Sequence, residues 1–336
     1  MNVQIVLYDG FDLLDVIAPY EVFVAAAMYS HEEVSVKLVS AEGERMVTSG
    51  VNQLKLHASE RLDLNYKGII LVPGASGSVV SDGLDSIPVK LKQAKETALS
   101  NLLKEAIHKT EILLATVCGG SLILAMDGLL EGRHAVTHHM GMDLLNATNA
   151  IPVNARIVDD GDLITGGGVT SGLDVALYIV ERELGPRIAH VVEQLFEYER
   201  RGTVWKAEGN APKKNQENPN EATRDHSSIQ NNKKVNIQGK WDTIVSTPIG
   251  KLSVLFDLTA KDGQIIGTAK QGEDIVTLEN LVLDGNQLKW CMTITKPMRL
   301  SLKFSVFIEK NNMYGEAKAG KLPACKLTGT RISQIE

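Results

Sequence analysis

The first feature with chemical potential is a cysteine followed by two glycines at a change of hydrophobic period. In Leu114-Ala-Thr-Val-Cys-Gly-Gly-Ser-Leu-Ile-Leu-Ala125 a strand-like apolar run ends at Cys118, and a helix-like run resumes after Ser121. A side chain on a sharp strand-to-helix turn needs small neighbours, because the turn crowds the backbone around it. Gly119 and Gly120 leave that room. At a helix start, the dipole and free N–H groups favour thiolate, the form of sulfur that attacks electrophiles. The same spacing also fits a buried, unreactive thiol, since free cysteine is among the most often buried residues.

A carboxyl group is the second candidate. Asp15 interrupts the apolar run Phe11-Asp-Leu-Leu-Asp-Val-Ile-Ala-Pro-Tyr-Glu-Val-Phe23. It could cap a helix, but Asp12 stands better placed for that. In apolar surroundings near a thiolate, Asp15 would hold its proton to a higher pH and could donate it. Three histidines, His134, His138 and His139, bring metal binding to mind. On a strand His138 and His139 would point to opposite faces, and no carboxylate or cysteine stands at ligand spacing, so no metal site is expected. Gly166-Gly-Gly-Val-Thr-Ser171 has glycines in the manner of a phosphate loop but matches neither Walker A nor the dinucleotide fingerprint. Thr170 or Ser171 reads more economically as a helix cap, with Asp174 completing a capping-box-like pair.

These residues sit in alternating elements. Val3–Tyr8, Val34–Ser40, Gly68–Val72 and Glu111–Val117 are short apolar runs of strand type. Helical spacing marks Leu13–Met28, roughly Val89–His108, Ser121–Leu130, Leu173–Leu184 and Arg187–Arg200. Strands buried on both faces and alternating with helices predict an α/β parallel sheet sandwiched by helices. In such sheets sites lie beyond the carboxyl ends of the strands, which gathers Asp9–Asp15, Pro73–Gly77 and Cys118 around one crevice.

The texture changes after residue 205. Residues 206–234 contain no aromatic residue and are rich in Asn, Lys, Glu and Ala, which predicts a flexible polar linker between a domain over 1–205 and another over 235–336. The second domain shows eight short runs of period two: 236–246, 250–258, 263–270, 274–283, 286–295, 300–309, 313–319 and 321–331. Turn signals fall at Lys261-Asp-Gly263, Asp284-Gly-Asn286 and Lys310-Asn-Asn312, so a separate small antiparallel β-barrel is predicted. Cys291 and Cys325 fall inside its strands and read as structural or idle thiols.

Bulk properties narrow the classes. The chain has 336 residues, 43% hydrophobic and 23% charged, enough for two cored domains. A net charge of −6 without a long basic run argues against nucleic acid or an anionic membrane as partner. Three scattered cysteines do not make a disulfide framework. No basic n-region opens the chain and no apolar run approaches 18 residues, so a cytoplasmic protein without a membrane span is expected.

Four segments in order carry a resemblance: "LDVIAPYEVF" (14–23), "ILVPGASG" (70–77), "ATVCGGSLILAMDGLLEGRHAVTHH" (115–139) and "VNARIVDDGDLITGGGVTSGLDVALYIVERELG" (153–185). Over its first 200 residues the chain resembles the ThiJ/PfpI superfamily (glutamine-amidotransferase class I-like), and within it the isonitrile hydratase branch. The resemblance implies a flavodoxin-like fold, a small-molecule substrate, no metal or organic cofactor, and a homodimer. It makes Cys118 the nucleophile and Asp15 the facing acid. The amides of Gly119 and of Ala75, after Pro73-Gly74, would hold developing negative charge. Thr137-His138 matches a Thr-His pair of the superfamily, making His138 a candidate acid or base near the thiol, and the Thr170 loop would shape the pocket. Gly119 departs from the Thr common in the hydratase branch and from the His of the peptidase branch. Gly239-Lys-Trp241 and Arg331 resemble the Gly-x-Trp and terminal Arg of calycin-type (lipocalin-like) barrels, in which the Arg closes one end over the Trp. The activity expected first is cysteine-dependent hydration of isonitriles to N-substituted formamides. A glyoxalase or deglycase-like enzyme for 2-oxoaldehydes, relying more on His138, stands as an alternative. So does a cysteine-based sensor or binding protein without turnover.

Overall fold

Apolar runs too short for helices pair side by side, because only a sheet satisfies their backbone groups while both faces are buried. In the computed structural model eight strands form one sheet, ordered Trp205–Lys206, Ile157–Asp159, Leu163–Gly166, Ile112–Thr116, Gly68–Val72, Asn2–Leu7, Ser35–Ser40 and Glu60–Arg61. All neighbouring pairs are parallel except Ile157–Asp159 with Leu163–Gly166. The order puts Asn2–Leu7 between Ser35–Ser40 and Gly68–Val72, a flavodoxin-like arrangement whose switch point lies between Asn2–Leu7 and Gly68–Val72. Every residue of Ile112–Thr116 is buried, as a central strand covered on both faces requires. The structure describes residues 1–78, 83, 85–210, 236–247, 250–261, 264–272, 274–294, 300–320 and 324–333.

Helix starts follow local side-chain chemistry. Asp12 caps Leu13–Tyr29, its Oδ1 accepting the N–H of Leu14 at 3.0 Å and of Asp15 at 3.3 Å. The helix expected over 89–108 is two, Ile87–Lys95 and Ala98–Ala106. Thr97 divides them, because its Oγ1 caps a new start by accepting the N–H of Leu99 at 3.2 Å. Helices Gly120–Met126, Ser171–Leu184 and Pro186–Phe196 follow the expected pattern within a few residues. The capping-box reading of Asp174 is corrected. Its carboxylate is buried and accepts from Arg156 Nε at 2.5 Å, the Tyr198 hydroxyl at 3.0 Å and the Arg201 N–H at 2.9 Å. A buried charge takes cationic and hydroxyl partners over a helix-end amide.

Lys206, placed in the linker by composition, still belongs to the sheet, pairing with Asp159. From residue 211 the expected linker lies outside the described residues. The second domain is a nearly closed antiparallel barrel of nine strands from Gly239–Thr247 to Cys325–Ser333. The run expected over 274–283 is broken at Leu278 into Asp274–Thr277 and Glu279–Asp284. These halves are the two edges of the sheet, so one chain segment joins the edges and draws the barrel closed. Alternate residues of Leu300–Glu309 face inward, and Phe304 stacks on Trp290 at 4.8 Å in the core. Arg331 lies over the Trp241 ring at 4.4 Å and donates to the Gln238 and Asn236 carbonyls, tying the last strand to the chain entering the first. The expected turn at Lys261-Asp-Gly263 includes residues outside those described, whereas those at Asp284-Gly-Asn286 and Lys310-Asn-Asn312 are hairpin turns. No helix among the described residues is long and apolar enough to cross a membrane.

Candidate active site

Three strand ends at the switch point carry the site. The strand Ile112–Thr116 delivers Cys118 with φ of 54°, a left-handed conformation that costs a non-glycine residue roughly 1–3 kcal/mol. The surroundings hold this elbow from several sides. The Cys118 N–H donates to the Gly166 carbonyl at 3.1 Å, and its own carbonyl accepts the Thr137 hydroxyl at 2.8 Å. The strained backbone turns the thiol towards Asp15 and leaves it only 8% exposed.

Asp15 comes from the first turn of Leu13–Tyr29 and is fully buried. Its Oδ2 accepts the Gly74 N–H at 2.9 Å, and the carboxyl is in hydrogen-bonding contact with the Cys118 thiol. Its Oδ1 meets no hydrogen-bond donor among the described residues. A buried carboxyl oxygen without a donor is the natural place for a proton. Burial, then the neighbouring Asp12, push the Asp15 proton affinity well above the ordinary carboxylate range.

The thiol corrects an expectation. Burial and the facing Asp15 raise its pKa, and the Gly119 N–H opposes them only in part. Gly120–Met126 is a short helix, and its dipole does not outweigh the loss of water around sulfur. Burial thus favours the protonated form of both the thiol and the facing carboxyl.

Gly74 is where the three strand ends meet. A Cβ there would stand 2.6 Å from the Gly119 nitrogen, 2.9 Å from Asp15 Oδ2 and 3.1 Å from Cys118 Cβ. Two of these neighbours cannot move without breaking the elbow or the carboxyl contact. Gly74→Ala is expected to cost about 1–3 kcal/mol of stability and to slow alkylation of Cys118 by a small reagent, checked by thermal melting and mass spectrometry. Beside it, Phe11 and Ala75 form an antiparallel bridge flanked by the bonds Asp12 N–H to Gly74 O (2.8 Å) and Ser76 N–H to Gly10 O (3.1 Å). In such a pair the Ala75 N–H points away from Phe11, towards the crevice side of the turn.

The other expected residues lie further out. His138 is not on a strand. It precedes the 3₁₀ turn His139–Gly141, with its Nδ1 facing the Met140 N–H at 3.4 Å and its ring 4.2 Å from that of His139. The opposite-face argument therefore fails: the turn brings both rings to one side. Burial and His139 lower the His138 pKa, so it is neutral at pH 7. It borders Gly168 of the glycine loop, but after burial the groups that act on the thiol are Asp15, Gly119 and Asp12. Thr170 is exposed and its hydroxyl accepts from Arg156 at 3.0 Å.

Sequence reasoning gives no role to three supporting residues. Tyr8, at the end of the first strand, is buried and donates to the Pro73 carbonyl at 3.0 Å. Lys90 donates to the Ser76 carbonyl at 2.9 Å and pairs with Asp85 at 2.6 Å, bracing the 73–77 turn from outside. Thr137 holds the elbow. Tyr8 left a sequence signal, a phenol in an apolar run just before the acidic segment, and Thr137 was marked by the Thr-His pair of the resemblance.

Comparison with known proteins shows the family. The sequence profile of the DJ-1/PfpI family matches residues 1–182. An isonitrile hydratase from Pseudomonas putida is 32% identical over 198 residues, covering 59% of this chain and 78% of that protein. The HTH-type transcriptional regulator CdhR of Pseudomonas aeruginosa is 24% identical over 192 residues, covering 56% of this chain and about half, 53%, of the regulator. Among solved structures, a THiJ/PfpI family protein from Pseudomonas syringae aligns with a TM-score of 0.49 at 24% identity, over 60% of this chain and 76% of that one. With more than half its length matched, this chain belongs to the DJ-1/PfpI family.

Proposed function

We propose that the protein hydrates isonitriles to N-substituted formamides, with Cys118 as nucleophile and Asp15 as the acid and base. The observation that carries this reading is a fully buried carboxyl in contact with a buried thiol, with burial pushing both towards their protonated forms. Isonitriles suit such a pair, because their terminal carbon first accepts a proton and then becomes electrophilic. In the first step the Asp15 proton passes to that carbon, the sulfur bonds to it, and the thiol proton moves to the carboxylate. The product is a thioimidate, with Asp15 protonated again. In the second step Asp15 protonates the imine nitrogen while water adds to the carbon and returns a proton to the carboxylate. The carbon–sulfur bond then breaks, the hydroxyl proton ends on sulfur by way of the carboxyl group, and formamide leaves. One isonitrile and one water give one formamide, with no change of oxidation state and no cofactor. The amides of Gly119 and Ala75 hold the water-derived oxygen in the tetrahedral stage.

Peroxide sensing is disfavoured by the same observation, since oxidation follows thiolate character and exposure. Incubating the full chain with cyclohexyl isocyanide, and separately with methylglyoxal, tests the proposal. Formamide from the first is expected; lactate from the second without any formamide overturns it in favour of a glyoxalase. Stable sulfinic acid at Cys118 after peroxide, with neither product, overturns it in favour of a sensor. The family's dimeric habit, carried over by resemblance, is proposed here too.

Gly119 offers a graded check. Its φ of −72° and ψ of −4° suit any residue, and an added Cβ would come closest to Leu91 Cδ1 at 3.2 Å, the end of a flexible side chain, with the Gly74 Cα at an ordinary 3.7 Å. Gly119→Thr, which restores the hydroxyl of the resembling hydratase branch, is expected to raise formamide formation by about tenfold, roughly one added transition-state hydrogen bond. Steady-state kinetics check it.

A further inference from the structure

Tyr8 is a buried titratable group that the hydration mechanism does not use. Its hydroxyl donates to the Pro73 carbonyl at 3.0 Å, while the Gly74 N–H donates to Asp15 Oδ2 at 2.9 Å. Those two groups are opposite ends of one peptide unit. The phenol, the Pro73–Gly74 peptide and the Asp15 carboxyl therefore form a single hydrogen-bonded chain, buried along its whole length. A donor on a peptide oxygen polarises the unit and strengthens its N–H as a donor.

We propose that Tyr8 is a positioning residue that sets the proton affinity of Asp15 through the Pro73–Gly74 peptide. This deepens the reading of Asp15 as the acid and rests on it. The neighbours of Asp15 explain why one hydrogen bond has such leverage. Asp12 faces it from the cap of its own helix, Cys118 from the elbow, Tyr8 from the end of the first strand, and the Gly74 amide from the turn. No cation acts on it among the described residues. The Gly74 N–H and the thiol are the groups that favour the charged form, so whatever strengthens that N–H releases the proton earlier. Proximity is supported from the other side, since after burial itself Asp15 and Cys118 are the strongest influences raising the Tyr8 phenol.

The sign follows directly. Removing the phenol weakens the Gly74 N–H as donor, disfavours the carboxylate and moves the Asp15 titration up. A more acidic phenol, which donates more strongly, moves it down. The experiment is an infrared difference titration of the full chain, with the protonated carboxyl band of Asp15 assigned by its loss in Asp15→Asn. Wild type, Tyr8→Phe and protein carrying 3-fluorotyrosine at position 8 are compared. Tyr8→Phe is expected to raise the midpoint by about half a unit, the scale of one lost hydrogen bond. The fluorinated protein is expected to shift the opposite way. A purely structural role for Tyr8 would lower the melting temperature and leave the midpoint unchanged. Coincident midpoints in the wild-type and fluorinated proteins overturn the proposal, even if Tyr8→Phe fails to fold. Because the band is read without substrate, absence of isonitrile turnover would overturn the proposed function and leave this result standing.

Discussion

Cys118→Ser lowers formamide formation from an isonitrile by more than about a thousandfold while the fold survives, the scale seen when a covalent nucleophile is removed. Serine fits the space, since the elbow is held through backbone groups, the Cys118 N–H to Gly166 and its carbonyl to Thr137. The same φ of 54° is imposed on serine as on cysteine, so the backbone cost is unchanged. What changes is the reacting atom. A hydroxyl is a far weaker nucleophile than sulfur towards a protonated isonitrile carbon, and the buried Asp15 still faces it. Thermal melting should give the same transition for variant and wild type, and product analysis should show almost no formamide. If Cys118→Ser turns over at wild-type rates, the cysteine is not the nucleophile.

Asp15→Asn separates activity from stability in opposite directions. Activity is expected to fall by about 10²–10⁴-fold, the usual contribution of a positioned acid–base group. The amide cannot pass a proton to carbon or take one back from sulfur and water. Stability is expected to rise. Burial raises the folded-state pKa of Asp15 above its unfolded value. Between those two values the folded chain holds a proton that the unfolded chain has lost, so stability falls as pH rises through that window and stays lower above it. Asparagine has no such proton to lose, and its oxygen still accepts the Gly74 N–H. The melting temperature of Asp15→Asn should match wild type under acid conditions and exceed it from neutral pH upward. Melts across pH check the sign. A lower melting temperature at neutral pH would mean that the carboxyl stabilises the fold as a charge.

The sequence reveals as much of this site as adjacent residues determine. Cys118-Gly119-Gly120 is readable because a strand-to-helix turn needs small residues in consecutive positions. Asp15 stands out as an acid within an apolar helix, and Asp12 as the better cap. The barrel is readable from period-two runs, and Arg331 over Trp241 from the resemblance to calycin-type barrels. What fails depends on distant partners. The thiol's proton affinity is set by burial and by Asp15, which the fold brings in from far along the chain. Asp174 abandons the capping role for Arg156 and Tyr198, 18 and 24 residues away. Thr97 and Leu278 break runs of unbroken hydrophobic period, so periodicity alone passes over them. The strand-end rule places Gly74 in the crevice, but its reason for being glycine is the meeting of three strand ends, which sequence alone does not show.

The central claim is that Asp15 and Cys118 work together with both protons in place. The dependence of kcat/KM on pH, measured for the full chain with cyclohexyl isocyanide, tests it most directly. A rate that is level through neutral pH and falls on the alkaline side, as Asp15 loses its proton, is the predicted result. A rate that climbs with pH to an alkaline plateau, the signature of a reacting thiolate, would contradict it.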